Sequence, residues 1–406
     1  MQSHKPRSII ATMLALVAAA PACDQQPPTA VSTSQTDDQS LFSVSGSFRL
    51  GGPVRLLSVD QRRLFDRGRV VFSNTFTPAT GLGPLFNASS CAECHGSPVV
   101  GGGGVQVESH MTAFTNGSCD ALEEVGGQVV QDSATPALQA FGVLREPAIP
   151  GATGTGHRTT PSLLGFGLLE AVPDQEILAH ADPNDTDGDG ISGRASIEPD
   201  GRVDRFGKKD VAPTLDAFLA DAFIYEMGIT DSLEPVEQTI AGQPLPPGVD
   251  PAPDPEVSQD DFRAAVAFVR YLAPPPTGAF GFRDRLGRTL FTRVGCNSCH
   301  LPALFTGGQA PAPLANRAVF AFSDLLLHDM GPDLADICLG NATPSEFRTE
   351  PLMGIRFKTA YLHDGRATSI DQAIRLHGGE ASGVVARYLA LSPLARATLL
   401  RFVSHL

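Results

Sequence analysis

The chain has 406 residues, with 44 Asp and Glu against 30 Lys and Arg, and no Trp. Its net charge of −14 argues against nucleic acid or an anionic membrane face as partner. The length suffices for two or three core-bearing units.

At the N-terminus, the basic pair Lys5 and Arg7, the apolar run Ile9 to Ala20 and the stretch Ala20-Pro21-Ala22-Cys23 spell an export signal over residues 1–23. The run is too short to span a bilayer as a mature helix. Cys23 stands where a lipoprotein signal carries its lipid-modified Cys, although Ala20 replaces the usual Leu, so lipidation and ordinary cleavage both stay open. Residues 24–45, rich in Gln, Ser, Thr, Asp and Pro, read as a flexible tether. The expected location is periplasmic, or otherwise outside the cytoplasmic membrane, with any membrane contact made through the lipid anchor alone.

Next, Gly68-Arg69-Val70-Val71-Phe72 lies in a stretch with helical spacing of apolar residues, and the pattern returns at Gly287-Arg288-Thr289-Leu290-Phe291. Each precedes a Cys-x-x-Cys-His motif, at Cys91, Cys94 and His95 and again at Cys296, Cys299 and His300. The first copy carries an inserted loop, Thr75 to Ser90. In such a motif each thiol adds to a porphyrin vinyl group and the adjoining His reaches the iron as proximal ligand. A redox dithiol needs no following His and a zinc site needs closely paired ligands, so two covalently bound haem c groups are the expected cofactors. With these four Cys and Cys23 assigned, Cys119 and Cys338 are left over. In an oxidising compartment they pair if their Cα atoms lie within about 7 Å, and otherwise stay isolated thiols.

Irregular segments follow, among them the glycine run Gly101 to Gly104 and the Pro-rich stretch Gln243 to Pro255. Asp185, Asp187 and Asp189 before Gly190 match the first half of a calcium loop. Ser196 stands where the bidentate Glu belongs, so a calcium shell needs Glu198 or backbone carbonyls; the alternative is a solvated acidic turn. Phe262, Val266, Val269 and Leu272 share one face of a helix from Asp260 to Leu272, and Pro274-Pro275-Pro276 breaks the chain behind it. A last helix opens at Ser392, with Pro393 in its first turn. The expected fold is mainly α, with two cytochrome c-like haem domains and long loops: residues 46–273 with insertions, and residues 277–406.

Four blocks, Arg158 to Ala171, Asp187 to Arg194, Asp324 to Gly331 and Tyr361 to Arg366, together resemble the bacterial di-haem oxidoreductase family, from about Gln61 to the C-terminus. Its members are labelled peroxidases or thiol oxidoreductases, and are similar in plan to di-haem cytochrome c peroxidases and to the di-haem enzyme of methylamine utilisation. The resemblance implies one haem as the peroxide site and another that stores or relays an electron. In the relatives the second haem's sixth ligand, Met or Tyr, lies fourteen residues beyond the His of a Tyr-x-His-x-Gly segment; here that place is His377. Ligation by both His300 and His377 follows, with Met330 and Met353 as runners-up. His363, Asp364 and Arg366 suit the holding of propionates, since an Arg fork matches a carboxylate. Ala222 to Gly228 resembles the relatives' Glu-Met segment, which makes Glu226 the candidate acid–base group of the peroxide site; the alternative is a helix-surface carboxylate.

Two positions depart from the family. Phe218 stands where Gln is usual, and Lys208 follows Arg205-Phe206-Gly207 where the relatives show Trp. Phe206 or Tyr225 is then the aromatic between the haems, unless they lie close enough for direct transfer. His110 or His157 could instead close the first site by binding iron. The sequence therefore reads as an exported, peroxidase-like di-haem c-type oxidoreductase. A small redox protein or another donor feeds the His300 haem, and peroxide or another small oxidant is reduced at the His95 haem. The alternative is a di-haem electron-transfer cytochrome without catalytic activity.

Overall fold

Ser58 starts the first helix, α1 (Val59–Phe72), with a capping box: its hydroxyl accepts from the Gln61 backbone N–H, and the Gln61 side chain accepts from its own. The computed structural model describes residues 49–406, which belong to a single compact unit. The export signal and tether read over residues 1–45 lie outside the described residues. Further long helices are α2 (Leu215–Met227), α3 (Gln259–Tyr271), α4 (Phe282–Val294), α5 (Ile370–Leu376), α6 (Ser382–Leu389) and α7 (Pro393–Val403). Among the described residues, no helix is long and apolar enough to cross a membrane.

The internal repeat has a packing cause. α1 packs on α3, and Gly68 sits at their crossing, where a Cβ would lie 1.8 Å from the carbonyl oxygen of Ala264. α4 packs on α7, and there a Cβ on Gly287 would lie 2.5 Å from the Thr398 carbonyl oxygen. The phenylalanine that ends each repeat reaches the histidine of its motif: Phe72 lies 6.1 Å from His95, and Phe291 lies 6.5 Å from His300, between ring centroids. Both repeats thus spend a glycine on helix approach and a phenylalanine on seating the histidine. In the second copy Gly295, at φ 98°, ends α4 and delivers Cys296 at once; in the first, the inserted loop intervenes.

The core runs from Phe65 and Phe268, 5.1 Å apart, through Phe166, Phe206 and Phe223 to Leu304, Leu325 and Leu326. Each such fully buried side chain contributes about 1.5–3 kcal/mol.

Helices dominate the regular structure, as expected, but the long loops also carry a sheet that the sequence reading did not include. A four-stranded antiparallel sheet follows the first motif, made of β1 (Val107–Thr115), β2 (Ser118–Asp120), β3 (Val129–Val130) and β4 (Gly154–Thr159). β1 is nine residues long and pairs with the other three, with Ser109 opposite His157 and Glu108 opposite Arg158. Cys119 on β2 is disulfide-bonded to Cys338, with Cα atoms 5.7 Å apart, so the leftover pair is bridged across 219 residues of sequence.

Candidate haem sites

The four motif cysteines form no disulfide, and each pair lines a cavity together with its histidine. Burial pushes the Cys91, Cys94 and Cys296 thiols up to about 12. The glycine run curls beneath the first motif, so His95 Nδ1 lies 3.2 Å from the Gly102 carbonyl oxygen and 3.0 Å from that of Pro161. His300 Nδ1 lies 2.9 Å from the Phe322 carbonyl oxygen. A carbonyl only accepts, so Nδ1 carries the proton in both rings and Nε2 keeps its lone pair, the arrangement of a metal-ligating imidazole. Burial lowers both histidines to about 4, which keeps them neutral at pH 7. Two neutral imidazoles beside two thiol pairs are a donor set that fits covalently bound haem.

The second cavity, of about 200 Å³, is mainly apolar and includes Ile370, Ile374, Val384, Val385 and Leu399. His377 lines it at the C-terminal end of α5, and its Nδ1 lies 2.7 Å from the Ala373 carbonyl oxygen, which again leaves Nε2 with its lone pair. Met330 also lines this cavity, whereas Met353 packs against the main core and reaches neither cavity. His328, beside Cys299, is clasped by Asp324 and Glu380 at 2.9 Å each. Burial opposes its charge, but hydrogen bonds to Asp324, Cys299 and Glu380 outweigh it and raise His328 well above its ordinary value.

Carboxyl groups mark the first cavity, of about 410 Å³. Glu226, from the last turn of α2, accepts from Asn87 Nδ2 at 3.0 Å and faces Glu108 within hydrogen-bonding reach. Burial and the neighbouring Glu108 charge raise Glu226 well above the ordinary carboxyl range, which favours its protonated form. Glu108 in turn holds His110 Nε2 at 2.9 Å, while His110 Nδ1 is buried without a partner. Phe166, Phe218 and Met227 supply apolar wall.

Sheet geometry decides which of the expected histidines arrives here. Glu108 and His110 are two apart on β1 and share a face, so both line the cavity. His157 lies opposite Ser109 on the other face, bonded to its hydroxyl at 3.3 Å and exposed, and lines neither cavity.

Other expected residues fall elsewhere. Phe206 is buried in a stack with Phe218, 5.6 Å away, and lines neither cavity; Tyr225 lines only the first. Neither is an aromatic shared by both sites. His363 lines the second cavity, but Arg366 donates to Asp364 and to the Asp333 carbonyl and lines neither cavity. The cations that do reach the cavities are Arg158, Lys208, Lys209, Arg348 and Lys358. Sequence reasoning missed them and Glu108; the alternation of Glu108 and His110 was the available signal. Asp185, Asp187 and Asp189 bring ligand oxygens within 4.8 Å of one another, each accepting a backbone N–H of its own loop. Glu198 bonds within the 198–202 turn and stands outside that group.

Several solved structures are similar to this chain. Hydrazine synthase of Kuenenia stuttgartiensis is 14% identical over 99% of this chain and 100% of its own, with a TM-score of 0.41. A MauG-like protein associated with microbial copper homeostasis is 15% identical over 87% and 92%, with a TM-score of 0.41. The di-haem peroxidase BthA from Burkholderia thailandensis E264 is 16% identical over 85% and 86%, with a TM-score of 0.39. No curated protein matches the chain. A family model described as "Di-haem oxidoreductase, putative peroxidase" matches residues 152–406, taking in the second motif and all four blocks and leaving the first motif outside. The chain belongs to the di-haem oxidoreductase family.

Proposed function

We propose that the protein is an exported, lipid-tethered di-haem c-type oxidoreductase that reduces peroxide or another small oxidant at the His95 cavity. Electrons enter at the His300 cavity from a small redox protein. Its two haem modules are residues 46–273 and 277–406, joined at Pro274-Pro276. Bound haem supplies the electrons and the site where the oxidant is held. The chain's own residues do the rest.

The observation that carries this reading is the difference between the cavity walls. The second cavity offers a further imidazole, His377, with its Nε2 lone pair free, which suits a six-coordinate electron-transfer centre. The first offers a buried carboxyl, Glu226, held by Asn87 and raised by burial towards its protonated form, which suits proton delivery. Peroxide reduction to two waters consumes two protons and two electrons. Glu226 gives a proton to the departing oxygen, and Glu108, hydrogen-bonded to it and half-exposed, restores that proton. Asn87 orients the carboxyl, and Phe218 and Met227 exclude bulk water.

A pure electron carrier is the competing reading, and the buried, unpartnered Nδ1 of His110 at the first cavity favours it. Steady-state peroxide reduction by the haem-loaded protein separates the two. Turnover that falls sharply in Glu226→Gln supports the oxidoreductase; no turnover, with both irons six-coordinate in the oxidised and half-reduced states, supports the carrier.

A further inference from the structure

The two cavities share a wall, and the wall is charged. Lys208 and Arg348 each line both cavities. Lys208 Nζ donates to Glu350 Oε2 at 2.9 Å, and Lys358, which lines only the second cavity, donates to Glu350 Oε1. Arg348 lies 3.4 Å from Glu350 and 3.3 Å from Asp210. On the first cavity's side, Arg158 pairs with Asp336 and Lys209 Nζ stands 3.4 Å from it. From the second, His363 Nε2 comes within 3.3 Å of the same Asp336.

Five cations thus meet three carboxyl groups: Asp336, Glu350 and Asp210. Asp210 is wholly buried, neither of its oxygens is hydrogen-bonded, and burial pushes it well above its ordinary value. Burial disfavours the Glu350 charge, yet Lys208, Lys358 and Arg348 hold its carboxyl well below the usual range. Burial also brings Lys208 down to about 8, with Glu350 opposing that shift and the nearby Lys358 and Arg348 adding to it. Buried charge needs a partner. Lys209 is met by the carbonyl oxygens of Thr343, Pro344 and Glu346, whereas Lys208 and Arg348 also face both cavities, where an anion can meet them.

We propose that this wall is a common carboxylate-binding site, in which Lys208 and Arg348 bind a propionate from each haem at once and so couple the two centres electrostatically. The proposal rests on the di-haem reading above. A shared cation stabilises the electron-rich state of whichever haem is reduced, and the strength of that effect is large in a desolvated wall. Lys208 is a positioning residue here, acting on both centres through their carboxylates.

The test is spectroelectrochemical titration of the haem-loaded protein, following each haem by its own spectrum, in the parent, Lys208→Met and Lys358→Met. Lys208→Met should move both midpoint potentials downwards, since a positive charge near both is lost. Lys358→Met should lower that of the His300 haem alone. Lys208→Arg, which keeps the charge, should restore both. A Lys208→Met protein in which only one potential moves, or neither, overturns the shared site. If Lys208→Met does not load two haems, Lys208→Gln, which keeps a hydrogen-bond donor but no charge, carries the same comparison. Haem content is counted first in the parent: fewer than two per chain defeats the di-haem reading itself, and that failure is distinct from an unshifted potential in a protein that holds both.

Discussion

The cavities at His95 and His300 are built from the same parts up to the histidine and from different parts beyond it. In each, a glycine lets two helices close, a phenylalanine seats the imidazole, and a carbonyl fixes the proton on Nδ1. Beyond that, the second wall offers His377 and apolar side chains, while the first offers Glu226, Glu108 and His110. On the proposed reading, the repeat would hold two haems and the residues outside it would set them to different work. A substitution in the repeat should remove a cofactor; one in the walls should change what the cofactor does.

The largest effect is expected from replacing both thiols of one motif. Cys91→Ala with Cys94→Ala should leave one covalently held haem per denatured chain and abolish peroxide turnover, while the His300 haem keeps its spectrum. Two haems retained would break the comparison at its root.

Glu226→Gln comes next. Loss of a positioned acid costs roughly 10²–10⁴-fold in rate, and kcat should fall by that order with the His300 haem unaffected. The parent should lose activity on the alkaline side, as pH climbs through the raised Glu226 value, and the Gln variant should lack that limb. The same sign governs stability. The folded value lies above the unfolded one, so the contribution is full below the unfolded value and is lost as pH rises towards the folded one. A pH profile unchanged by Glu226→Gln would remove the residue from the mechanism.

Smaller in energy is the disulfide, which ties β2 to the segment whose Leu339 lines the first cavity. Cys338→Ser should lower the unfolding free energy by about 2–4 kcal/mol, and should broaden the spectrum of the His95 haem before that of the other. Thiol labelling of the unfolded, unreduced parent should modify neither Cys119 nor Cys338. Smallest is the difference between the two helix crossings. Overpacking costs about 1–3 kcal/mol, and denaturant titration should find Gly68→Ala worse than Gly287→Ala. The added Cβ meets backbone at 1.8 Å in one case and at 2.5 Å in the other.

Much of the candidate site was legible because its chemistry is local in sequence. Cys-x-x-Cys-His points to both candidate haem sites, each motif lining a cavity, and cysteine counting leaves the pair that is bridged. A fixed offset from His363 picks out His377, which lines the second cavity. What escaped depends on contacts between distant segments. Val107–Thr115 alternates only weakly, and its strand character comes from pairing with Gly154–Thr159, forty-odd residues on. With the strand went its register, and with the register the knowledge that Glu108 and His110 face inwards while His157 faces out. Lys208 stands where the resemblance suggests an indole, and only the fold shows it beside Glu350 on a wall common to both cavities. Arg366, expected beside the haem, instead pairs with its neighbour Asp364 and lines neither cavity.

The central claim is that one iron is closed by His377 and the other is open to an oxidant. Electron paramagnetic resonance of the parent and of His377→Gly, as isolated and after reduction by one electron, tests it most directly. The account predicts a low-spin His300 haem in the parent that turns high-spin in His377→Gly, with the His95 signal affected only indirectly. His377→Met should stay six-coordinate and rise in potential. A His300 haem whose spin state and potential are the same with and without His377 would contradict the account, and would pass the ligand's role to Met330.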